Sequence, residues 1–337
     1  MGYNCFSYIS NDERRKKHLV MRKALVVGID YYENISDLNG CINDAHNVRT
    51  VLERDSDGTK NFDVEVMTSS SKDSSITRKQ LKNKIEELYK DKSEIALIYF
   101  AGHGHIESTG GYILTAECND GDDGLPMNDL LKLANDSPAL NKIIILDCCH
   151  SGIMGNPIDN DDKAVISEGI TILTASSKDQ YSVEKNGSGV FTTLFVDAMN
   201  GSASNLLGDI TPGSIYAHID QSLGSWGQRP IFKTNVTSFT TLRKVQPPIE
   251  LSDLKLITSL FPKLGEDYNL DPSYEETSEI ANEENVKQFK ILQKYNRINL
   301  VIPIETDHMY YAAMESKSCK LTVLGEHYWN LVTNKRI

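Results

Sequence analysis

Residues 142–152 read KIIILDCCHSG and are the most informative segment of the sequence. Its first five residues are an apolar β-type run, so the two cysteines follow the end of a predicted strand. Parallel α/β sheets place their chemistry outside the carboxyl ends of their strands. The pair Cys148-Cys149 therefore lies where a functional site is expected.

A second apolar run has the same layout. Residues 94–100 read EIALIYF and are followed by AGHGH at 101–105, so a histidine also leaves a strand end. A cysteine and a histidine delivered by two neighbouring strand ends can form a pair of nucleophile and base.

Strand-like and helix-like segments alternate through the first 245 residues. This alternation predicts an α/β fold, a doubly wound and mainly parallel six-stranded sheet with helices on both faces. The predicted strands are Val26–Asp30, Phe62–Met67, Ile95–Phe100, Ile143–Leu146, Ile170–Ala175 and Pro230–Phe232, and the predicted helices are Gly40–Glu53, Thr77–Lys90, Met127–Ala134, Val190–Met199 and Ser214–Leu223.

The motifs resemble those of the caspase-like cysteine peptidases. The form Asp-x-Cys-His-Ser-Gly at 147–152 is closest to the metacaspase branch, including its prokaryotic members. The resemblance covers roughly Lys23 to Leu242, and further matching segments occur in the expected order. These segments are residues 24–32, 38–45, 174–177, 189–192 and 228–230.

The resemblance assigns the nucleophile to Cys149, the third position of that motif, and leaves Cys148 at the variable position. His103 is the expected base, because a thiol with an ordinary pKa needs a nearby imidazole to ionise at neutral pH. The backbone N–H groups of Gly104 and Cys149 would form the oxyanion hole. The alternatives are a strand-end histidine with a structural hydrogen bond, a pair of buried cysteines, or a metal pair at His103 and His105. We expect no metal site.

Three residues are the candidates for the substrate pocket. In metacaspases, aspartates at the positions of Asp44 and Asp147 form an acidic pocket for the basic residue before the scissile bond, and Ser176 would line the same pocket. A carboxylate pair in a desolvated cleft selects Arg or Lys and penalises Asp. The alternative is that Asp44 caps a helix and Asp147 bonds within its own loop.

Composition excludes several classes of protein. The 337 residues carry a formal charge of −12, which argues against a nucleic-acid binder, and no apolar run is long enough for a membrane span. The six cysteines have neither disulfide-framework nor zinc-site spacing. These features favour a cytoplasmic protein.

The chain after the alternating segments has a different pattern. We expect an N-terminal extension (1–22), a caspase-like domain (23–245), a linker (246–250) at the proline pair and a C-terminal domain (251–337). The pattern of the C-terminal domain suggests a winged-helix-like α+β module. It predicts helices at 251–260 and 283–295, strands at 309–313 and 319–323, and a helix at 325–331. The domain's charge of −3, ten basic against thirteen acidic residues, favours regulation over DNA binding.

The resemblance thus implies an endopeptidase that cuts proteins after Arg or Lys. A caspase-like domain followed by a small extra domain also resembles latent effectors of prokaryotic antiviral defence or cell-death pathways. No cofactor is required for the chemistry. Calcium or a small nucleotide is a candidate activator, although the acidic turn at 120–123 lacks the EF-hand ligand pattern. The alternative function is a catalytically silent scaffold that acts through its C-terminal domain.

Overall fold

The computed structural model describes residues 21–149, 151–154, 165–175, 184–185, 188–223 and 229–337. The chain divides into two compact units, of which unit 1 ends at Gln246 and unit 2 begins at Pro247.

Unit 1 consists of short strands and helices that largely alternate along the chain. In chain order they are β1 (Arg22–Ile29), α1 (Cys41–Glu53), β2 (Asp63–Ser69), α2 (Arg78–Lys90), β3 (Ile95–Ala101), β4 (Gly104–Glu107), β5 (Gly110–Ile113), β6 (Leu125–Pro126), α3 (Met127–Asp136), β7 (Asn141–Asp147), β8 (Ile170–Thr174), β9 (Glu184–Lys185), β10 (Ser188–Gly189), α4 (Val190–Asp197), β11 (Asp209–Ile210), α5 (Pro212–Leu223), β12 (Ile231–Asn235) and β13 (Arg243–Lys244).

Six of these strands form the central sheet, in the order β12-β8-β7-β3-β1-β2. Five run parallel, and β12 pairs antiparallel with β8 at one edge. The predicted six-stranded, mainly parallel sheet is confirmed. Its last strand lies at Ile231–Asn235, slightly later than the sequence pattern indicated.

Both faces of the sheet are covered, as the unbroken apolar strands require. Every residue of β3 is buried. Its alternate side chains Ala96, Ile98 and Phe100 join the core under α2 and α3, whereas Ile95, Leu97 and Tyr99 join the core under α1, α4 and α5. Tyr99 therefore points toward the layer that contains α4.

Unit 2 is a small α+β unit. Its elements are α6 (Leu251–Lys255), α7 (Ile257–Leu260), β14 (Tyr268–Asn269), α8 (Glu283–Arg297), β15 (Val301–Pro303), α9 (Met309–Met314), β16 (Ser318–Leu321) and α10 (Val323–Thr333). The strands form an antiparallel sheet in the order β14-β16-β15. Phe289, Leu292 and Tyr295 of α8 are buried in its core.

The hairpin predicted within unit 2 is wrong. Residues 309–313 belong to helix α9, not to a strand, and β16 pairs with the distant β14 and β15. Met309, Ala312 and Ala313 are the buried residues of α9, a helical i, i+3, i+4 spacing that places one face on the core. The two tyrosines between them look β-like in sequence but lie on the exposed side. The winged-helix prediction loses the hairpin on which it rested.

Across the described residues, no helix combines the length and the apolar character that crossing a bilayer requires.

Candidate active site

The two motif segments leave the sheet side by side. Ala101, the last residue of β3, is the ladder partner of Asp147, the last residue of β7. His103 and Cys149 each lie two residues beyond those partners, at the carboxyl ends of adjacent parallel strands. This is the edge at which the sequence predicted the site.

Tyr32 and Ser36 hold His103 from the loop after β1. The His103 backbone N–H donates to Tyr32 Oη at 2.8 Å, and the two rings pack with centroids 4.7 Å apart. His103 Nε2 lies 2.8 Å from the Ser36 carbonyl oxygen. A carbonyl can only accept, so Nε2 carries the proton and the neutral ring keeps the Nδ1 lone pair for accepting one.

The two adjacent cysteines have different environments. Cys148 is 1% exposed within the core, and burial raises the pKa of its thiol well above the ordinary value. Cys149 is only partly buried. Cys148 therefore stays a protonated thiol, and Cys149 is the one that solvent and a substrate can reach.

Gly104 brings the histidine segment into backbone contact with the cysteine segment. A Cβ at Gly104 would overlap the Cys149 carbonyl oxygen and would stand 3.1 Å from Cys148 Sγ. Only glycine allows this close approach. The two backbone positions predicted for the oxyanion hole, Gly104 and Cys149, thus lie next to each other.

Asp44 and Asp147 converge on Gly189. The Gly189 N–H donates to Asp44 Oδ2 at 2.8 Å. A Cβ at Gly189 would overlap Asp147 Oδ2 and would lie 3.2 Å from Asp44 Oδ2. Asp44 does not cap its own helix, since the N-cap of α1 is Gly40. The structure therefore places both predicted pocket aspartates around one point.

That point is the amino end of a helix. Gly189 is the N-cap of α4, and Thr192, in the first turn of α4, donates from Oγ1 to Asp147 Oδ2 at 2.7 Å. The positive end of the helix dipole and these donors stabilise carboxylates that are only 3% and 7% exposed. Sequence reasoning gave Gly189 and Thr192 no role, although their GVFT motif was part of the resemblance.

Other predicted features have a simpler structural explanation or fall outside the described residues. In the acidic turn, Asp123 accepts from the N–H groups of Asn119 and Asp120, and these bonds lower its pKa. His105 Nε2 pairs with Glu107 at 2.7 Å. The described residues contain no cluster of three or more His, Cys, Asp or Glu side chains suited to a metal ion. Ser176 lies outside the described residues.

The family model of the caspase domain matches residues 21–245. Metacaspase-1 of Kluyveromyces lactis is 28% identical over 169 residues, which is 44% of this chain and 37% of that protein. Metacaspase-7 of Arabidopsis thaliana is 27% identical over 145 residues, 39% of this chain and 35% of that protein. The matches span little more than a third of these relatives.

Among solved structures, caspase-1 of Spodoptera frugiperda covers 68% of this chain and 92% of its own, with 14% identity and a TM-score of 0.49. The protein GSU0716 of Geobacter sulfurreducens covers 67% of this chain and all of its own, with 16% identity and a TM-score of 0.49.

Proposed function

The chain belongs to the caspase-domain family, and from this premise we propose that it is a cysteine peptidase that cleaves proteins after arginine or lysine. The observation that carries the proposal is the convergence of Asp44 and Asp147 on Gly189. Asp147 lies only two residues before Cys149 in the chain. A peptidase that cut after aspartate would need a cationic pocket at this place instead.

The proposed chemistry is acyl transfer. Cys149 Sγ attacks the scissile carbonyl carbon while its proton passes to His103 Nδ1, the ring atom left basic by the Nε2 contact with Ser36. The N–H groups of Gly104 and Cys149 stabilise the oxyanion. The imidazolium then protonates the leaving amine, and water activated by the neutral ring hydrolyses the thioester.

The acidic pair explains the proposed preference for a basic P1 residue. Two buried carboxylates repel each other, and a guanidinium or ammonium group brought between them removes that repulsion and forms charge-assisted hydrogen bonds. A P1 aspartate would add a third negative charge to a site of low dielectric constant. Discrimination therefore comes from attraction of Arg or Lys and from repulsion of Asp or Glu.

Covalent labelling tests this proposal without depending on turnover. We expect an arginyl chloromethyl ketone to alkylate Cys149 of the full-length protein and the matched aspartyl reagent to leave it unmodified. Fragment-ion mapping distinguishes Cys149 from Cys148, and C149A is the control. Adducts on Cys148, or faster labelling by the aspartyl reagent, would refute the proposed site.

We also propose that unit 2 regulates the peptidase and that the protein is a latent effector of a prokaryotic defence or cell-death pathway, switched on by calcium, a small nucleotide or a protein. An uncontrolled protease with basic specificity would damage its own cell. The separate core of unit 2 supports an independent role, and the charge of −3 over residues 251–337 disfavours duplex binding.

Truncation after Gln246, between the two units, tests the regulatory proposal. We expect the truncated protein to be either constitutively active or unresponsive to the activator, with the same P1 preference as the full-length protein. The measurement is cleavage of one Arg-P1 peptide across concentrations of calcium and candidate nucleotides. Superimposable activation curves, or salt-dependent duplex binding that requires residues 247–337, would count against regulation by unit 2.

A further inference from the structure

A chain of buried hydroxyl groups leads from the centre of the sheet to the acidic pair. Tyr99 Oη lies 2.6 Å from Thr192 Oγ1, and Thr192 Oγ1 donates to Asp147 Oδ2 at 2.7 Å. A threonine hydroxyl has one proton, which here points to Asp147, so the Tyr99 hydroxyl must be the donor to Thr192. The direction of donation is therefore fixed, from Tyr99 through Thr192 to the carboxylate.

All three members of this chain are shielded from water. Tyr99 is 0% exposed, Thr192 is 1% exposed and Asp147 is 7% exposed. Burial, together with the charges of Asp147 and Asp44, raises the pKa of the Tyr99 phenol well above its ordinary value. Tyr99 consequently keeps its proton and remains a donor throughout the pH range in which a peptidase can be assayed.

The surroundings of Asp147 make such a donor important. Asp44 on α1 presents a like charge that disfavours ionisation of Asp147, and burial acts in the same direction. Two features act in the opposite direction: the Thr192 hydroxyl donates to Asp147, and the amino end of α4 lies beside it at Gly189. The Cys41 thiol of α1 acts electrostatically on Tyr99.

We propose that Thr192, polarised by Tyr99, is a positioning residue that keeps the Asp147 carboxylate ionised and aimed at a basic P1 side chain. The inference rests on the proposed function, because it concerns the same pocket. It assigns to two residues outside the acidic pair a share in determining substrate specificity. It also makes the charge of the pocket depend on a hydroxyl group that the substrate does not touch.

A merely structural hydrogen bond predicts something different. If Thr192 only fastened α4 to β7, its loss would lower stability without changing P1 preference or the pH profile. If Thr192 holds Asp147 ionised, loss of the Thr192 hydroxyl raises the pKa of the Asp147 carboxyl. On acidification, Asp147 then becomes protonated at a higher pH than in the wild-type protein. The acid limb of kcat/KM for an Arg-P1 peptide must then move upward.

Substitutions of nearly equal size separate these two cases. T192V removes the hydroxyl and keeps the shape, T192S keeps the hydroxyl, and Y99F removes only the outer donor. We expect T192V to lower kcat/KM on an Arg-P1 peptide by about tenfold or more, mainly through KM, and to move the acid limb up by about one pH unit. T192S should stay within about threefold of wild type, and Y99F should shift both quantities in the same direction by less.

The outcomes separate this inference from the function beneath it. Wild-type protein that does not prefer Arg or Lys refutes the proposed function and this inference with it. Wild-type preference for Arg, together with T192V that has an unchanged KM and an unchanged acid limb, refutes only the role of Thr192. Circular dichroism and thermal melting establish whether each variant folds. If T192V does not fold, Y99F decides, and an unchanged pH profile in Y99F overturns the inference.

Discussion

Replacing Cys149 with alanine should abolish peptide hydrolysis, whereas C148S should retain a substantial share of it. Removal of the nucleophile of an acyl-transfer enzyme costs about 10³-fold or more in kcat. Cys148 lies in the core with a raised thiol pKa, so serine at that position changes packing and not the attacking atom. The measurement is the initial rate on one Arg-P1 fluorogenic peptide with each purified variant.

H103A provides a second arm for the same assay. It should lose activity to a similar extent as C149A, and the double variant should be no worse than either one, because the two groups act as a unit. Melting temperatures of the variants serve as the control for folding. Turnover by C149A combined with an inactive, folded C148S would reverse the assignment of the nucleophile.

D147A should have the second largest effect. Loss of a buried charged partner of the substrate costs about 2 kcal/mol or more, which is roughly thirtyfold in kcat/KM on Arg-P1 peptides. The alanine also leaves the Thr192 hydroxyl without its acceptor. Rates for Arg-P1, Lys-P1 and uncharged P1 peptides should converge in this variant, because the uncharged peptide never benefited from the carboxylate.

D91N is the matched control for this charge change. Asp91 lies just before β3, at the amino ends of the strands and away from the candidate site. Its carboxylate pairs with Lys23 Nζ at 3.1 Å on the surface. Its neutralisation should leave kcat/KM on the Arg-P1 peptide within about twofold, since exposed pairs contribute little. D147A with wild-type rates on Arg-P1 peptides would remove Asp147 from the pocket.

The sheet and the strand-end site could be predicted because both depend on local patterns. Apolar runs such as 95–100 and 143–146 have the composition of strands buried on both faces, and parallel pairing then brings their carboxyl ends together. Asp44 and Asp147 came from the resemblance to metacaspases. Their common neighbour Gly189 shows in the structure why two residues so distant in sequence belong to one place.

The contacts that hold these groups in position were not predictable. Tyr32 bonds the His103 backbone from 71 residues away, and no periodicity marks a tyrosine for that role. Thr192 and Tyr99 are separated by 93 residues and meet only because α4 packs on the face of the sheet to which Tyr99 points. In unit 2, the residues of α9 carry both helical and strand-like signals, and only the tertiary core selects the helix.

The P1 preference of the wild-type, full-length protein shows whether Asp44 and Asp147 form a pocket for a basic side chain. The measurement is kcat/KM for peptides that are identical except for Arg, Lys, Asp or Ala at P1, assayed at one pH and ionic strength. We predict that Arg and Lys exceed Asp by about 10³-fold or more, because a like charge placed against the Asp44–Asp147 pair costs several kcal/mol. Faster cleavage after Asp than after Arg would contradict this account of the site.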